Sequence, residues 1–250
     1  MYTTAEKFKS NGMYIPERAK EHTILISNAI KDVPASDRPG CLLFAGGSGA
    51  GKSTYLNELF SELLKTAVVI DADEIKKEIK EYDLFLENPN TQQNAAFLVH
   101  TESADIADQL IQKCIELSLS FAYVGTMSYE PVYAELIPLM KEKNYLITGI
   151  YIDVDLEVSR HRVNERYLET NRFVPDAIVV KSNINSAIVF ARLKQHFDEV
   201  LMFNNTTILD TTKPFYKRVT PFTTIYDGGT IYNFSDLFLF MEKSKNNLIV

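Results

Sequence analysis

The sequence predicts an α/β domain in which a doubly wound parallel sheet of about five strands carries helices on both faces. Three observations predict it. Short apolar runs alternate with longer segments of helical periodicity. The first of these runs leads directly into a glycine-rich phosphate loop that opens a helix. The length of 250 residues, 46% of them hydrophobic, is enough to bury one full core.

In chain order, Pro16 to Ile30 reads as a helix and Asp32 to Gly40 as a Pro-containing linker. Cys41 to Ala45 is strand one, and after the loop Leu56, Leu59, Phe60, Leu63 and Leu64 recur at helical spacing. Strand two is Ala67 to Ile70, and Ala104, Ala107, Leu110, Ile111, Cys114 and Ile115 mark a long amphipathic helix. Phe121 to Val124 is strand three and Tyr145 to Ile152 strand four, each a short buried run. A helix follows over Leu156 to Glu169, and Pro175, suited to a first helical position, opens another to about Val200. Strand five falls at Leu201 to Phe203 or at Thr207 to Leu209. The tail holds a turn at Asp227-Gly228-Gly229 between short β-like runs, and a last apolar stretch, Leu237 to Met241; it could complete the sheet edge, wall a pocket or bind something else. The expected organisation is one domain over 1–250, with a helix and linker at 1–40, the core at 41–210 and an appendix at 211–250.

Composition narrows the function classes. A net charge of −7 disfavours a protein that grips nucleic acid, since Lys and Arg supply most of that affinity. Two cysteines, Cys41 and Cys114, fall at core positions rather than in a disulfide framework, which fits a reducing, cytoplasmic setting. Met1 to Gly12 lacks an apolar signal core, and no run approaches the ~18 apolar residues of a membrane helix, so no membrane association is expected.

The chemistry centres on Gly46-Gly47-Ser48-Gly49-Ala50-Gly51-Lys52-Ser53, a complete G-x-x-x-x-G-K-[ST] loop between a strand and a helix. Its residues, with Thr54, are expected to hold a nucleoside triphosphate, ATP or GTP. Backbone amides would wrap the phosphates, Lys52 would lie along them, and the Ser53 hydroxyl would take a place on Mg²⁺. In such sheets ligands sit beyond the carboxyl ends of the strands. After strand two, Asp71-Ala72-Asp73-Glu74 offers an acid to accept the proton of an attacking hydroxyl, Asp73 foremost, or simply a helix cap. After strand three, Gly125-Thr126 could face the pocket or form a plain turn. Arg160, Arg162, Arg166 and Arg172 could stabilise a moving phosphoryl group, or pair on a solvated helix with Glu157, Glu165 and Glu169. His22, His161 and His196 lack metal-ligand spacing.

Taken together, the loop, Ile70-Asp71-Ala72-Asp73, Thr101-Glu102-Ser103, Gly125-Thr126, Glu165-Arg166-Tyr167 and Arg172-Phe173-Val174-Pro175 resemble the bacterial zeta toxins, P-loop kinases. The resemblance covers most of 40–200. It implies transfer of the γ-phosphate of ATP or GTP to a hydroxyl of a nucleotide-activated sugar such as UDP-N-acetylglucosamine. It further implies Asp73 as base on the acceptor, Glu102 and Thr126 as substrate ligands, and Arg166 and Arg172, with Lys52, as catalytic cations. An inhibitory antitoxin would find room at the N-terminal helix. Many members have an acid just before the Gly-Thr pair, where this chain has Val124, so the acceptor can differ; Asn171 before Arg172, where relatives often have Gly, tolerates left-handed backbone angles. Alternatives are a kinase of another nucleoside, NAD or a nucleic-acid end; an NTP-driven switch or hydrolase; and an inactive interaction module.

Overall fold

The computed structural model describes residues 1–206 and 222–245. The chain opens with helix α1 (Thr4–Phe8), a small antiparallel pair β1 (Lys9–Ser10) and β2 (Met13–Tyr14), and helix α2 (Pro16–Ile30). The core then runs β3 (Gly40–Ala45), α3 (Lys52–Leu59), β4 (Val68–Ile70), α4 (Ala72–Ile75), α5 (Lys80–Glu87), α6 (Ala95–Leu98), α7 (His100–Glu116) and β5 (Phe121–Val124). It continues through α8 (Glu130–Glu142), β6 (Leu146–Asp153), α9 (Leu156–Thr170), α10 (Asp176–Leu193), β7 (Glu199–Asn204), β8 (Thr223–Asp227), β9 (Thr230–Ile231) and α11 (Phe234–Lys245).

The sheet order is β4-β5-β3-β6-β7-β8-β9. The first five of these pair in parallel; β8 and β9 add an antiparallel edge. Alternation on β3 shows how both faces are filled. Cys41, Leu43 and Ala45 enter one apolar cluster with α7, α8, α10 and Phe240 of α11, while Leu42 and Phe44 enter the other with Tyr55 and Leu56 of α3. Because β3 lies between β5 and β6, with later strands placed to either side, its carboxyl end opens onto the crevice where such sheets bind ligands.

The α/β class, the parallel order and the helices on both faces agree with the sequence reading. The differences are local. α3 stops at Leu59, short of the apolar pattern, and a 3₁₀ turn follows at Leu63–Lys65. Phe60 turns aside there to pack edge-on against Phe44, with centroids 6.5 Å apart. α10 begins at Asp176, with Pro175 as its cap, and ends at Leu193. Strand five is Glu199–Asn204; the rival segment at 207–209 lies outside the described residues. The tail completes the sheet edge as the β8–β9 hairpin and α11, so among the described residues the sheet has seven strands rather than about five. The short α1 and its hairpin carry no pattern long enough to predict.

Candidate active site

The phosphate loop takes its shape from close approach on its outer side. Gly46, at φ +138°, would put a Cβ 2.5 Å from the Ile152 carbonyl, and a Cβ on Gly47 would lie 2.8 Å from the Cα of Asn183. Only glycine fits at either position. Side chains from three other segments hold the loop. Ser182 Oγ accepts from the Ser48 amide at 3.1 Å, and the Ser159 hydroxyl donates to the Ser48 carbonyl. Arg162 donates to the Gly49 carbonyl at 3.3 Å and to the Asn205 carbonyl at 2.8 Å, while Asn205 Nδ2 donates to the Ala50 carbonyl at 2.8 Å. The loop leads into the first turn of α3, where Lys52, Ser53 and Thr54 line a cavity of about 760 Å³.

Gly49, Gly51, Lys52, Ser53, Thr54, Asp73, Thr126, Arg166 and Arg172 all line this one cavity, together with Ser48. Gly46, Gly47 and Ala50 form the loop's floor rather than its lining. Lys52 Nζ donates to the carbonyls of Gly46 (2.7 Å) and Gly47 (3.0 Å). Burial presses its pKa down to about 8 despite the opposing charges of Asp71 and Asp73.

Asp71 and Asp73 divide the roles left open by the sequence. Asp71 caps α4, its Oδ1 accepting from the Asp73 amide at 2.9 Å, and its Oδ2 accepts from the Ser53 hydroxyl at 3.3 Å. It is therefore both cap and site residue. Burial, and then the neighbouring Asp73 charge, raise its pKa, so the pair of oxygens it presents with Ser53 would gain from a hard cation. Asp73 forms ion pairs with Lys76 (2.9 Å) and with Arg172. Burial alone would raise its carboxyl, but these cations outweigh that and hold it well below the usual carboxylate range.

Arg166 brings the least satisfied group. Its Nε is buried and has no hydrogen-bond partner among the described residues, and burial, then Arg172, lower its pKa to about 10. A buried donor without an acceptor is costly, so the position favours an incoming anion. Asn171, at φ 54°, ends α9 in the left-handed conformation and turns Arg172 back over the cavity. Arg160 is the structural arginine: it points away to Asp176 (2.7 Å) and Glu157 (2.6 Å).

Glu102 departs from expectation. It is fully buried and absent from the cavity wall, its carboxylate bound by Arg18 (2.5 Å) and His22 (2.6 Å) of α2. His100 and Ala104, which flank it on α7, line the cavity, and a residue two positions along a helix faces the other way. The spacing to Ile106 and Leu110 signals this: Glu102 stands on the helix stripe that carries the core. Sequence reasoning also missed Ser159, Ser182, Asn183 and Asn205, and the wall residues Tyr82, His100 and Phe222. None of them carries a local motif. Among the described residues, no helix is long and apolar enough to cross a membrane.

With this geometry in view, comparisons with known proteins converge. A family model described as Zeta toxin matches residues 25–217. Among solved structures, the chain is similar to the AvrRxo1-ORF1:AvrRxo1-ORF2 complex with sulphate ions, at TM-score 0.74 and 18% identity, over 100% of this chain and 84% of that one. The same complex with ATP gives TM-score 0.72 at 16% identity, over 100% and 84%. The PezAT toxin-antitoxin system of Streptococcus pneumoniae gives TM-score 0.64 at 19% identity, over 77% of this chain and 79% of that one. In sequence, the chain is 34% identical over 110 residues to the calmodulin calcium-dependent NAD kinase of Arabidopsis thaliana, 41% of this chain and 21% of that protein. The match therefore spans about a fifth of that relative's length.

Proposed function

The chain belongs to the zeta toxin family and has the P-loop kinase fold, and from that premise we propose that it transfers the γ-phosphate of ATP to a hydroxyl of a nucleotide-type metabolite. The observation that carries this reading is the convergence of one carboxylate, Asp73, with three cations, Lys52, Arg166 and Arg172, on a single cavity at the mouth of the phosphate loop. Phosphoryl transfer needs little more than this: fixed positive charge where the γ-phosphoryl oxygens gather charge, and a base on the acceptor. The structure with ATP bound to a fold neighbour supports ATP over GTP. Ser53 and Asp71 supply oxygen ligands of the kind magnesium takes. When bound, that ion would neutralise charge on the phosphates.

The ligand-free ion pair between Asp73 and Arg172 has a mechanistic consequence. A carboxylate held far below its usual pKa is a weak base. When phosphate oxygens draw the Arg172 guanidinium toward them, Asp73 loses a counter-charge and its basicity rises, at the moment an acceptor is in reach. Arg172→Gln is therefore expected to lower kcat about a hundredfold while moving the acid limb of the pH–rate profile upward, since removing the cation raises the Asp73 pKa. An unchanged acid limb would show that the pair plays no part in turnover.

For the acceptor, the Arabidopsis relative and the apolar Val124 support NAD, whereas family membership supports UDP-N-acetylglucosamine. ADP release from ATP and magnesium, measured with no acceptor and then with NAD, UDP-N-acetylglucosamine and plain nucleosides, separates the readings. Stimulation by NAD alone is the expected result; turnover indifferent to any acceptor would overturn the kinase reading in favour of a hydrolase. The toxin-antitoxin neighbours also support a protein partner, and the outer face of α2, where Ile24 is exposed, is where the N-terminal helix could receive one.

A further inference from the structure

Arg18 is the most heavily engaged side chain outside the catalytic cavity. It is 5% exposed and donates to three carboxylates from three helices. Nε and one terminal nitrogen grip Glu102 of α7 as a fork, at 2.5 and 3.0 Å. The same terminal nitrogen reaches Glu81 of α5 at 2.6 Å, and the other reaches Glu21 of its own helix at 2.8 Å. Phe8 covers the guanidinium, its ring centroid 4.5 Å from Cζ. Neighbouring contacts fasten the same pair of helices to the N-terminal segment. His22 adds a bond to Glu102 at 2.6 Å, Lys9 and Tyr14 both bind Asp105 of α7 at 2.8 and 2.7 Å, and Glu21 pairs with Lys80 of α5.

The two helices that Arg18 joins form one wall of the cavity. Glu81 adjoins Tyr82, and Tyr82, Asp83 and Leu86 of α5 line the cavity. Glu102 sits between His100 and Ala104, which line it from α7. Each helix thus gives one face to Arg18 and the adjacent or opposite face to the site. The phosphate loop, by contrast, is held from α9, α10 and Asn205, with no contribution from α2.

We propose that Arg18 is a positioning residue for acceptor binding: by bridging Glu81 and Glu102 it sets the spacing of α5 and α7, the cavity wall we assign to the acceptor, without touching either substrate. The proposal rests on the kinase reading for its kinetic form. A guanidinium can span two carboxylates with a planar fork, which a lysine ammonium cannot. Arg18→Lys keeps the charge and removes the span.

The test compares wild type with Arg18→Lys in acceptor and ATP titrations, alongside amide hydrogen exchange on the full chain. The expected result is a rise of about tenfold in KM for the acceptor with KM for ATP within about twofold, because misplacement of the wall weakens one substrate only. Exchange should quicken at 80–87 and 100–104 and stay unchanged at 46–53. Equal changes in both KM values, or an unchanged acceptor KM, would overturn the proposal. Should Arg18→Lys fail to fold, Glu81→Gln removes one limb of the bridge and leaves the Glu102 fork; about a threefold rise in acceptor KM is then expected, and no rise overturns the proposal. If wild type phosphorylates no nucleotide-type acceptor, the functional reading fails by itself, and the exchange pattern alone decides on Arg18: quickening confined to the two helices upholds it, and a uniform or absent change overturns it.

Discussion

Lys52→Ala is expected to reduce kcat for phosphoryl transfer by about a thousandfold, the cost of losing one preorganised charge on the developing phosphates. The side chain already bridges the carbonyls of Gly46 and Gly47, so its ammonium is held where a polyphosphate would enter. Its depressed pKa, about 8, adds a pH signature. As pH rises through 8 the free enzyme's lysine loses its proton and its charge, so kcat/KM for ATP should fall about tenfold per pH unit above that value. Once ATP is bound, the phosphate charge stabilises the ammonium, so kcat itself should not share this limb. Steady-state ADP release between pH 6 and 10 measures both, and a kcat/KM that stays level to pH 10 would remove Lys52 from the phosphate-binding role.

Asp73→Asn is expected to lower kcat by a comparable factor, about a thousandfold, since a general base contributes at that scale. Its effect on binding should have the opposite character. Replacing the carboxylate by an amide removes negative charge from the phosphate side of the cavity and frees Arg172, so ATP should bind at least as tightly as to wild type. Calorimetric ATP titration together with single-turnover rates separates the two quantities. Near wild-type turnover in Asp73→Asn would show that the acceptor proton leaves by another route; weakened ATP binding would make Asp73 a scaffold residue.

What could be read from the sequence divides along the range of the interactions concerned. The phosphate loop was legible because its function depends on backbone shape, which glycines at fixed spacing dictate within eight consecutive residues. The places of Asp73 and Arg172 on the cavity wall were legible because each follows an element end, where residues of such folds face the crevice. Ser182 and Asn205 were not, because a serine or asparagine in a helix or loop acquires its partner only through tertiary approach to a loop more than a hundred residues away. Glu102, a substrate ligand on the resemblance, is buried against α2 for a related reason. Its helix was correctly anticipated, but which face met the site depended on where α2 packed, and the charge on the core stripe was the clue. The β-like runs on either side of Asp227-Gly228-Gly229 were legible as such, but runs of five and two residues carry too little periodicity to assign them to the sheet rather than to a pocket wall.

The clasp at the carboxyl end of β6 bears on how the molecule comes into being. Asp153 is bound by Lys243 of α11 and by the Tyr151 hydroxyl at 3.0 Å, while Phe240 of the same helix is buried against Tyr151 and Phe190. The residue before Asp153 is the one whose carbonyl crowds Gly46. A helix made long after the phosphate loop therefore secures the strand on which that loop rests. During vectorial synthesis the loop is complete long before its support, so a nascent chain would carry every residue of the loop and still lack the finished floor beneath it.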